Sequence, residues 1–341
     1  MKKLTEKYKR YLLLHAKKSF LHRIKRRNKV FYYNTQKLIP PQILDLDNNE
    51  TLEFLNKLRI ASDNKRCRLY VDFKQIQSIT SSCALVLASE FDRCIQIRGA
   101  IGRLKVLEFD KWKDEIKFLF RDMGIFNLLQ INNIPKNFYN EKSISPVKYF
   151  KFIKGNSVDG NDVLKFKDIV KQITSGIPNE KKLQIAITEA MDNVFSHGYP
   201  DDYIACSYLK KKLWWLSASY DKEEHKLNFM FFDQGIGIPE SLKQNHSNLI
   251  GKIFDLLTDD DRLIRAATVV GRSSTGKRHR GRGLPQIIDY IQSYQNDGYL
   301  RITSGKGTYI LSKKYNEKLK RISYINNYSI NGTLIEWQLQ L

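Results

Sequence analysis

Cysteine is scarce in this sequence, and its placement offers no metal-binding or redox motif. The 341 residues include only Cys67, Cys83, Cys94 and Cys206, and no two of them form a C-x-x-C pair. The spacing therefore excludes the usual zinc and thiol redox sites. So few cysteines in a chain of this length also favour a cytoplasmic protein over a secreted one.

Long hydrophobic runs are also absent. No apolar stretch approaches the length of a membrane span, and residues 11–14 are too short and too highly charged at their flanks for a signal peptide. We therefore expect no membrane span. The apolar fraction of 42% still permits a packed core, and the length allows two ordinary domains.

Acidic residues are outnumbered, 36 against 58 basic ones, which gives a formal net charge of +22. This balance favours polyanionic partners such as nucleic acid, an anionic membrane surface or nucleotides. A lysine-rich codon bias explains an overall excess equally well, but not its clustering in residues 1–30. We interpret that segment as a basic helical extension that either packs on the next domain or binds nucleic acid or a membrane surface.

Strand and helix patterns alternate through residues 31–155, which we interpret as a first domain. Residues 140–165 are rich in Asn, Ser, Gly, Lys and Asp and predict a linker or connecting loop. The periodicity of the first domain predicts a helix over 51–60, a strand over 68–73, a helix over 82–97, a strand over 103–109 and a helix over 116–129.

The clearest helix pattern lies in a second domain, residues 165–341. It covers residues 179–197, after Pro178 and before Gly198, and predicts a buried apolar stripe. Glu189 and Asn193 are one helical turn apart at the flank of that stripe, where a carboxylate and an amide can share one ligand or one metal-bound water. His197 continues the line, and we interpret it as structural. The stripe consists of Leu183, Ala186, Ile187, Ala190, Met191 and Val194.

Two predicted strands, over 212–220 and 227–232, lead directly into D-Q-G-I-G-I-P at residues 233–239. This arrangement places the Asp233 carboxylate at a sheet edge. Gly235 and Gly237 allow the backbone to approach a flat ligand closely. The alternative is an ordinary Asp-Gly turn.

A glycine-rich entry to a helix follows at Gly281-Arg282-Gly283-Leu284, where the neighbouring arginines favour phosphate over a merely flexible basic loop. The preceding residues 271–277 resemble the phosphate-binding loop G-x-x-x-x-G-K-[ST]. However, Arg278 occupies the position of the hydroxyl that binds Mg²⁺, which excludes that motif. Lys277 remains a predicted phosphate contact.

These segments have the order found in the GHKL superfamily of gyrase, a heat-shock chaperone, histidine kinases and MutL. Predicted closing strands over 299–305 and 332–337 complete the set. Residues 165–341 thus resemble that superfamily. The resemblance implies a Bergerat-type α/β sandwich with a mixed sheet that binds ATP and Mg²⁺.

The resemblance also implies a role for each matching residue. Asn193 would bind Mg²⁺, Asp233 would accept the adenine amine, and Thr333 would support that contact. Gly235 and Gly237 would shape the adenine pocket. The phosphates, beneath a mobile lid of roughly residues 240–280, would meet Lys277, Gly281, Arg282, Gly283 and Leu284.

Glu189 distinguishes the subfamilies, because two-component histidine kinases usually lack a carboxylate at this position. In the other groups it acts as a general base, and residues 189–199 look most like the anti-sigma-factor serine kinases. Since the sequence ends at Leu341, we expect no transducer domain, which argues against a clamp ATPase. None of the six histidines lies in a phosphoacceptor motif.

Residues 70–93 and 118–131 are similar to the STAS domain of anti-sigma-factor antagonists. That resemblance implies a phosphorylatable serine at Ser82. Cys83 and Thr80 depart from the glycine and aspartate of the family pattern. The alternative is that Ser81 or Ser82 is only a helix N-cap.

We therefore expect an α/β (α+β) protein with a basic helical extension (1–30), a STAS-like domain (31–155) and a GHKL ATP-binding domain (165–341). The expected function is ATP hydrolysis with Mg²⁺, coupled to a protein partner. One alternative is a serine kinase that acts on Ser82 or on a partner STAS protein. Another is a nucleotide-gated module with little turnover that binds a protein or, through residues 1–30, nucleic acid. A homodimer is compatible with each.

Overall fold

The computed structural model describes most of the chain beyond the basic N-terminus. The expected helical extension over 1–30 lies outside the described residues. These residues are 34–65, 67–99, 103–131, 134–141, 143, 145–158, 160–174, 176–200, 212–245, 259–269 and 283–341.

The N-terminal region, residues 34–131, combines a small parallel sheet with helices. Its three-stranded sheet has the order β1-β3-β5, and a separate parallel pair joins β2 to β4. The predicted helices and strands are present with shifted ends, and a short 3-10 helix at Ile125–Leu128 replaces the end of the helix predicted over 116–129. The elements are β1 (Asn34–Leu38), β2 (Ile43–Leu44), α1 (Asn49–Asp63), β3 (Cys67–Asp72), β4 (Ser78–Ile79), α2 (Ser81–Arg98), β5 (Lys105–Leu107) and α3 (Asp114–Asp122).

Helix α2 is buried on almost all sides. Its N-cap is Thr80, whose hydroxyl accepts a hydrogen bond from the Cys83 backbone N–H (3.3 Å), so the expectation of a cap at Ser81 or Ser82 is wrong. The apolar run from Cys83 to Ala88 is fully buried. A helix that is apolar around its circumference must be covered on more than one side, and here a second, larger sheet lies against it.

The larger sheet contains eight strands in the part of the chain that the structure describes. Their order is β12-β11-β10-β13-β9-β8-β6, with β7 also paired to β8. The linker predicted over 140–165 is wrong, because β6 and β7 extend the sheet from within it. The strands are β6 (Val147–Tyr149), β7 (Ile153–Gly155), β8 (Trp214–Asp221), β9 (Lys226–Asp233), β10 (Gly298–Ser304), β11 (Gly307–Lys313), β12 (Lys320–Ile325) and β13 (Thr333–Gln340).

Every described pairing in this sheet is antiparallel, which corrects the expected mixed sheet. The reason is the position of β13. Strands β9 and β10 run in the same direction and are joined by a helical crossover. Since β13 lies between them and is antiparallel to both, they are not neighbours.

Helices cover one face of the large sheet, which we call the front face. Trp214, Leu216, Phe229 and Phe231 point to this face and pack with the helices in one buried cluster. The apolar stripe predicted over 183–194 is buried there. The described helices of the C-terminal half are α4 (Gly160–Thr174), α5 (Glu180–Asn193), α6 (Ile238–Asn245), α7 (Asp260–Val269) and α8 (Gly283–Gln292).

The opposite face, which we call the back face, packs on the N-terminal region. Because side chains alternate along a strand, Trp215, Met230, Phe232 and Leu334 point away from the front face. These side chains belong to the same buried cluster as α1, α2 and the parallel sheet. The molecule is therefore layered, with α2 between two sheets. No helix in the described ranges is both long and apolar enough to cross a membrane.

Candidate functional site

Three neighbouring strands of the large sheet have their ends side by side around Asp233. Asp233 ends β9 and lies opposite Thr333, which begins β13. Thr333 lies in turn opposite Ser304, the last residue of β10. The structure thus brings together Asp233 and Thr333, which lie 100 positions apart in the sequence.

Asp233 is a buried carboxylate. Its side chain is only 6% exposed, and its Oδ1 accepts a hydrogen bond from the backbone N–H of Gly235 (2.8 Å). Burial raises the pKa of Asp233 to about 7, and the Gly235 hydrogen bond opposes this shift only in part. A carboxylate in such a dry position strongly accepts a donor hydrogen when it is ionised.

Ser304 is a site residue that sequence reasoning missed. Its Oγ accepts a hydrogen bond from the Ile238 backbone N–H (2.8 Å) and lies 2.9 Å from the Thr333 Oγ1. These two hydroxyls link the β10 and β13 ends to the loop that follows Asp233. The available signal was a serine at the end of a predicted strand, next to Gly305.

The two glycines of the loop satisfy different geometric demands. A Cβ on Gly235 would lie 2.3 Å from the carbonyl oxygen of Gly198, so the backbones approach too closely for a side chain. Gly237 has a φ of +85°, which disfavours other residues, and a Cβ there would meet the Ser304 Oγ at 2.8 Å. Both glycines therefore fix the path of the loop beside Ser304 and Gly198.

Helix α5 delivers its C-terminal end to the same loop. The Gly198 carbonyl accepts a hydrogen bond from Ile236 N–H (2.8 Å), and the Tyr199 hydroxyl accepts one from Gln234 N–H (3.0 Å). The predicted α-helix over 179–197 ends at Asn193, and Val194–Gly198 form a π-helical turn. This wider turn removes His197 from the straight line expected with Glu189 and Asn193.

Glu189 and Asn193 lie on the last two turns of α5, directly before that π turn. Both side chains are half-buried. Burial raises the pKa of Glu189, and the nearby Asp192 carboxylate adds to the shift. A carboxyl whose pKa lies closer to neutrality is a stronger proton acceptor than an ordinary glutamate.

The N-terminus of α8 lies at the same end of the sheet. Helix α8 connects to the start of β10, whereas Ser304 ends β10 at the site. Helix α8 therefore begins near the site and runs away from it, antiparallel to α5. Tyr290 Oη, late in α8, bonds the Pro178 carbonyl before α5 (3.0 Å), as this orientation requires.

The predicted phosphate contacts are only partly described. Gly283 begins α8, and Leu284 packs against the front-face cluster. Lys277, Gly281 and Arg282 lie outside the described residues. Within the expected lid over 240–280, the described parts are the helical residues 240–245, which belong to α6, the residue 259 and α7. No group of three or more His, Cys, Asp or Glu side chains in the described ranges is arranged to hold a metal ion.

Ser82, the predicted phosphorylation position, is not on the surface. It is 6% exposed, and its Oγ lies 3.5 Å from the Thr80 Oγ1 at the start of α2. Its neighbour Ser81 donates to the Ser219 Oγ on β8 (3.0 Å). The start of α2 is therefore sealed against the back face.

Comparison with known proteins adds no family to this description. No protein-family model matches the chain, and no curated protein matches it.

Proposed function

We propose that this chain binds ATP with Mg²⁺ at the sheet edge around Asp233 and hydrolyses it. In this proposal residues 165–341 are a GHKL nucleotide domain of the Bergerat type, and the N-terminal region is STAS-like. The observation that carries the proposal is the buried Asp233 carboxylate, with Thr333 beside it and the Glu189–Asn193 helix ending at its loop.

In this proposal Asp233 recognises the adenine base. The ionised carboxylate accepts a hydrogen bond from an exocyclic amine, as adenine offers, inside a site with little water. Because an unmet buried charge is costly, a ligand that donates to it gains more than it would at the surface. The Ser304–Thr333 hydroxyl pair holds the adjacent strand ends in place.

The residues present also fit a hard metal ion held jointly with phosphates. Asn193 offers a half-buried carboxamide oxygen at the end of α5, and oxygen ligands are those that Mg²⁺ prefers. Bound Mg²⁺ would neutralise charge on the phosphate oxygens during transfer. Lys277, Gly281 and Arg282 remain predicted phosphate contacts.

Glu189 is the proposed general base. It lies one helical turn before Asn193 and so faces the same end of the front layer. Its raised pKa, caused by burial, suits it to take a proton from an attacking water. Phosphoryl transfer otherwise depends on positioning and charge neutralisation.

The test is ATP binding and phosphate release by the full chain with Mg²⁺, compared with the Glu189→Gln variant. We expect turnover to fall by roughly 10²- to 10⁴-fold, the usual contribution of a general base, while ATP affinity stays within about twofold. Asn193→Ala should weaken binding in the presence of Mg²⁺ more than in its absence.

Glu180→Gln is the matched control, because Glu180 is on the same helix and pairs with Lys167 (3.1 Å) and Lys171 (2.7 Å) away from the site. It should leave turnover unchanged. Wild-type protein that fails to bind ATP would refute the proposal. Binding without turnover would instead select the nucleotide-gated module.

The kinase alternative favours an acceptor outside this chain. Because Ser82 is buried and its neighbour Ser81 bonds Ser219 on β8, phosphorylation in cis would require the N-terminal region to separate from the back face. Label transferred from ATP to a partner STAS protein, and lost in Glu189→Gln, would select a kinase. Label retained on the chain itself and lost in Ser82→Ala would select the cis reaction.

A further inference from the structure

The loop that carries Asp233 is bonded to the N-terminal region through a buried side chain. Gln234, 2% exposed, points to the back face. Its Nε2 donates to the Glu90 Oε1 (2.9 Å) and to the Ser89 Oγ (3.2 Å), both on α2. The residue between the proposed base-binding aspartate and the first loop glycine thus contacts a helix 144 positions earlier.

Glu90 is itself held from the other side. Arg59 on α1 donates through Nε (3.0 Å) and Nη2 (2.7 Å) to the same Oε1. The Glu90 side chain is 3% exposed and the Arg59 side chain 13% exposed, so the pair is largely dry. Among the described residues, Glu90 Oε2 and Gln234 Oε1 are buried atoms without a hydrogen-bond partner. Each bond that remains is therefore costly to lose.

We propose that the contacts among Arg59, Glu90 and Gln234 allow the N-terminal region to determine the position of the loop that carries Asp233. The backbone of Gln234 is held by Tyr199, and Gly235 is held by Asp233, both within the C-terminal half. The side chain of Gln234 adds an anchor from outside that half. Moving it rotates the peptide units on either side, and with them the Asp233 carboxylate.

The consequence is reciprocal coupling between the back face and the nucleotide, and this part of the inference rests on the proposed function. If the position of α2 changes the affinity for ATP, then ATP must stabilise the contact of α2 with the loop by the same factor. A partner that displaces the N-terminal region from the back face would thereby weaken ATP binding. Glu90 and Gln234 are positioning residues, since they act through Asp233.

The test compares two alanine substitutions on α2 in the full chain, Glu90→Ala and Asp92→Ala, and adds Glu90→Gln. Glu90→Ala removes the bonds to Arg59 and Gln234, whereas Glu90→Gln retains an acceptor of the same shape without the charge. The control is Asp92→Ala, because Asp92 is 3% exposed and its carboxylate also crosses to the C-terminal half. It bonds the Lys154 Nζ on β7 (2.8 and 2.9 Å), away from the loop.

We expect ATP affinity to fall at least tenfold in Glu90→Ala, by an intermediate factor in Glu90→Gln and by less than twofold in Asp92→Ala. Amide hydrogen exchange at residues 234–236 should accelerate in the same order without nucleotide. If Glu90→Ala does not fold, the amide exchange rates of Glu90→Gln at residues 234–236 test the proposal instead. Equal losses of affinity in Glu90→Ala and Asp92→Ala, or unchanged exchange in Glu90→Gln, would overturn the proposal. Absence of ATP binding by wild type would refute the proposed function alone, because the exchange measurement still tests the positioning.

Discussion

At the scale of single residues, the burial of Asp233 serves ligand recognition but lowers the stability of the fold. Its folded-state pKa of about 7 is raised from 3.8 by burial. The folded state therefore binds more protons than the unfolded chain between these values, so stability falls as pH rises from about 4 to about 7. A carboxylate kept in a position that costs stability when ionised is typical of a functional site.

Asp233→Asn should therefore stabilise the fold and abolish ATP binding. At pH 8 we expect the variant to be more stable by up to roughly 4 kcal/mol, the free energy of a shift of about three pKa units. The gain should shrink as pH approaches 4, because wild-type Asp233 is then protonated. Urea unfolding at both pH values measures this effect. A less stable variant at pH 8 would contradict the role of burial, and unchanged affinity would contradict the site.

Asp221→Asn is the matched control for that substitution. Asp221 lies at the far end of β8, where its Oδ1 accepts hydrogen bonds from the backbone N–H groups of Glu223 and Glu224 (3.0 Å each). An asparagine can accept the same bonds. Neither stability nor ATP affinity should change measurably at either pH.

The affinity of wild-type protein for adenosine should rise with pH. Since the ionised carboxylate is the stronger acceptor and the pKa of Asp233 is about 7, the ionised fraction rises about tenfold between pH 6 and pH 8. We expect a similar gain in affinity. Adenosine is the appropriate probe because it has no phosphate that titrates in this range. A pH-independent affinity would show that Asp233 does not contact the base.

At the scale of elements, the site depends on how the ends of strands and helices are joined. The loop after β9 is held to β10 by Ser304 and to the π turn after α5 by Gly198. Gly237 allows the chain to turn between them. Substitutions in this loop should therefore alter the stability of the fold in two ways, through lost contacts with Ser304 and Gly198 and through strain in the backbone at Gly237.

Gly237→Ala should destabilise the fold more than Gly99→Ala. Both glycines have positive φ, +85° and +76°, so each substitution costs about 1–3 kcal/mol of backbone strain. A Cβ at Gly99 meets no atom within 4 Å, whereas one at Gly237 must displace the Ser304 Oγ. We expect the Gly237 variant alone to lose ATP affinity. Equal unfolding free energies for the two variants would show that the Ser304 contact is easily relieved.

At the scale of the whole molecule, the N-terminal region completes the core of the large sheet. Trp215, Met230, Phe232 and Leu334 are buried against it rather than against other parts of the C-terminal half. Burying this apolar surface contributes strongly to stability, at roughly 25 cal/mol per Å². The two halves should therefore unfold together.

A fragment of residues 165–341 should fail to fold cooperatively. It lacks β6 and β7 and exposes the apolar back face. We expect the full chain to unfold in one transition seen equally by tryptophan fluorescence and circular dichroism. The fragment should bind a hydrophobic dye and aggregate. Cooperative unfolding of the fragment at a midpoint close to that of the full chain would contradict the shared core.

The sequence by itself determined the local elements and the loop chemistry. Periodicity located α2, β8 and β9 to within about two residues and α5 to within about four, because the burial pattern of a helix or strand depends on neighbouring side chains. The Asp233 loop was recognisable for the same reason, since turn preferences depend on adjacent glycines. The roles of Glu189 and Asn193 stay predictions.

Only the tertiary structure decided which distant residues meet. The insertion of β13 between β9 and β10, the contact of Ser304 with Thr333, the bond of Ser81 to Ser219 and the bond of Gln234 to Glu90 all join residues far apart in the chain. Such contacts leave no periodic pattern, because they depend on which sheet faces pack together. The linker prediction over 140–165 follows from the Asn, Ser, Gly and Asp residues of that segment, whereas β6 and β7 within it carry the apolar Val147, Tyr149 and Ile153 and pair with β8.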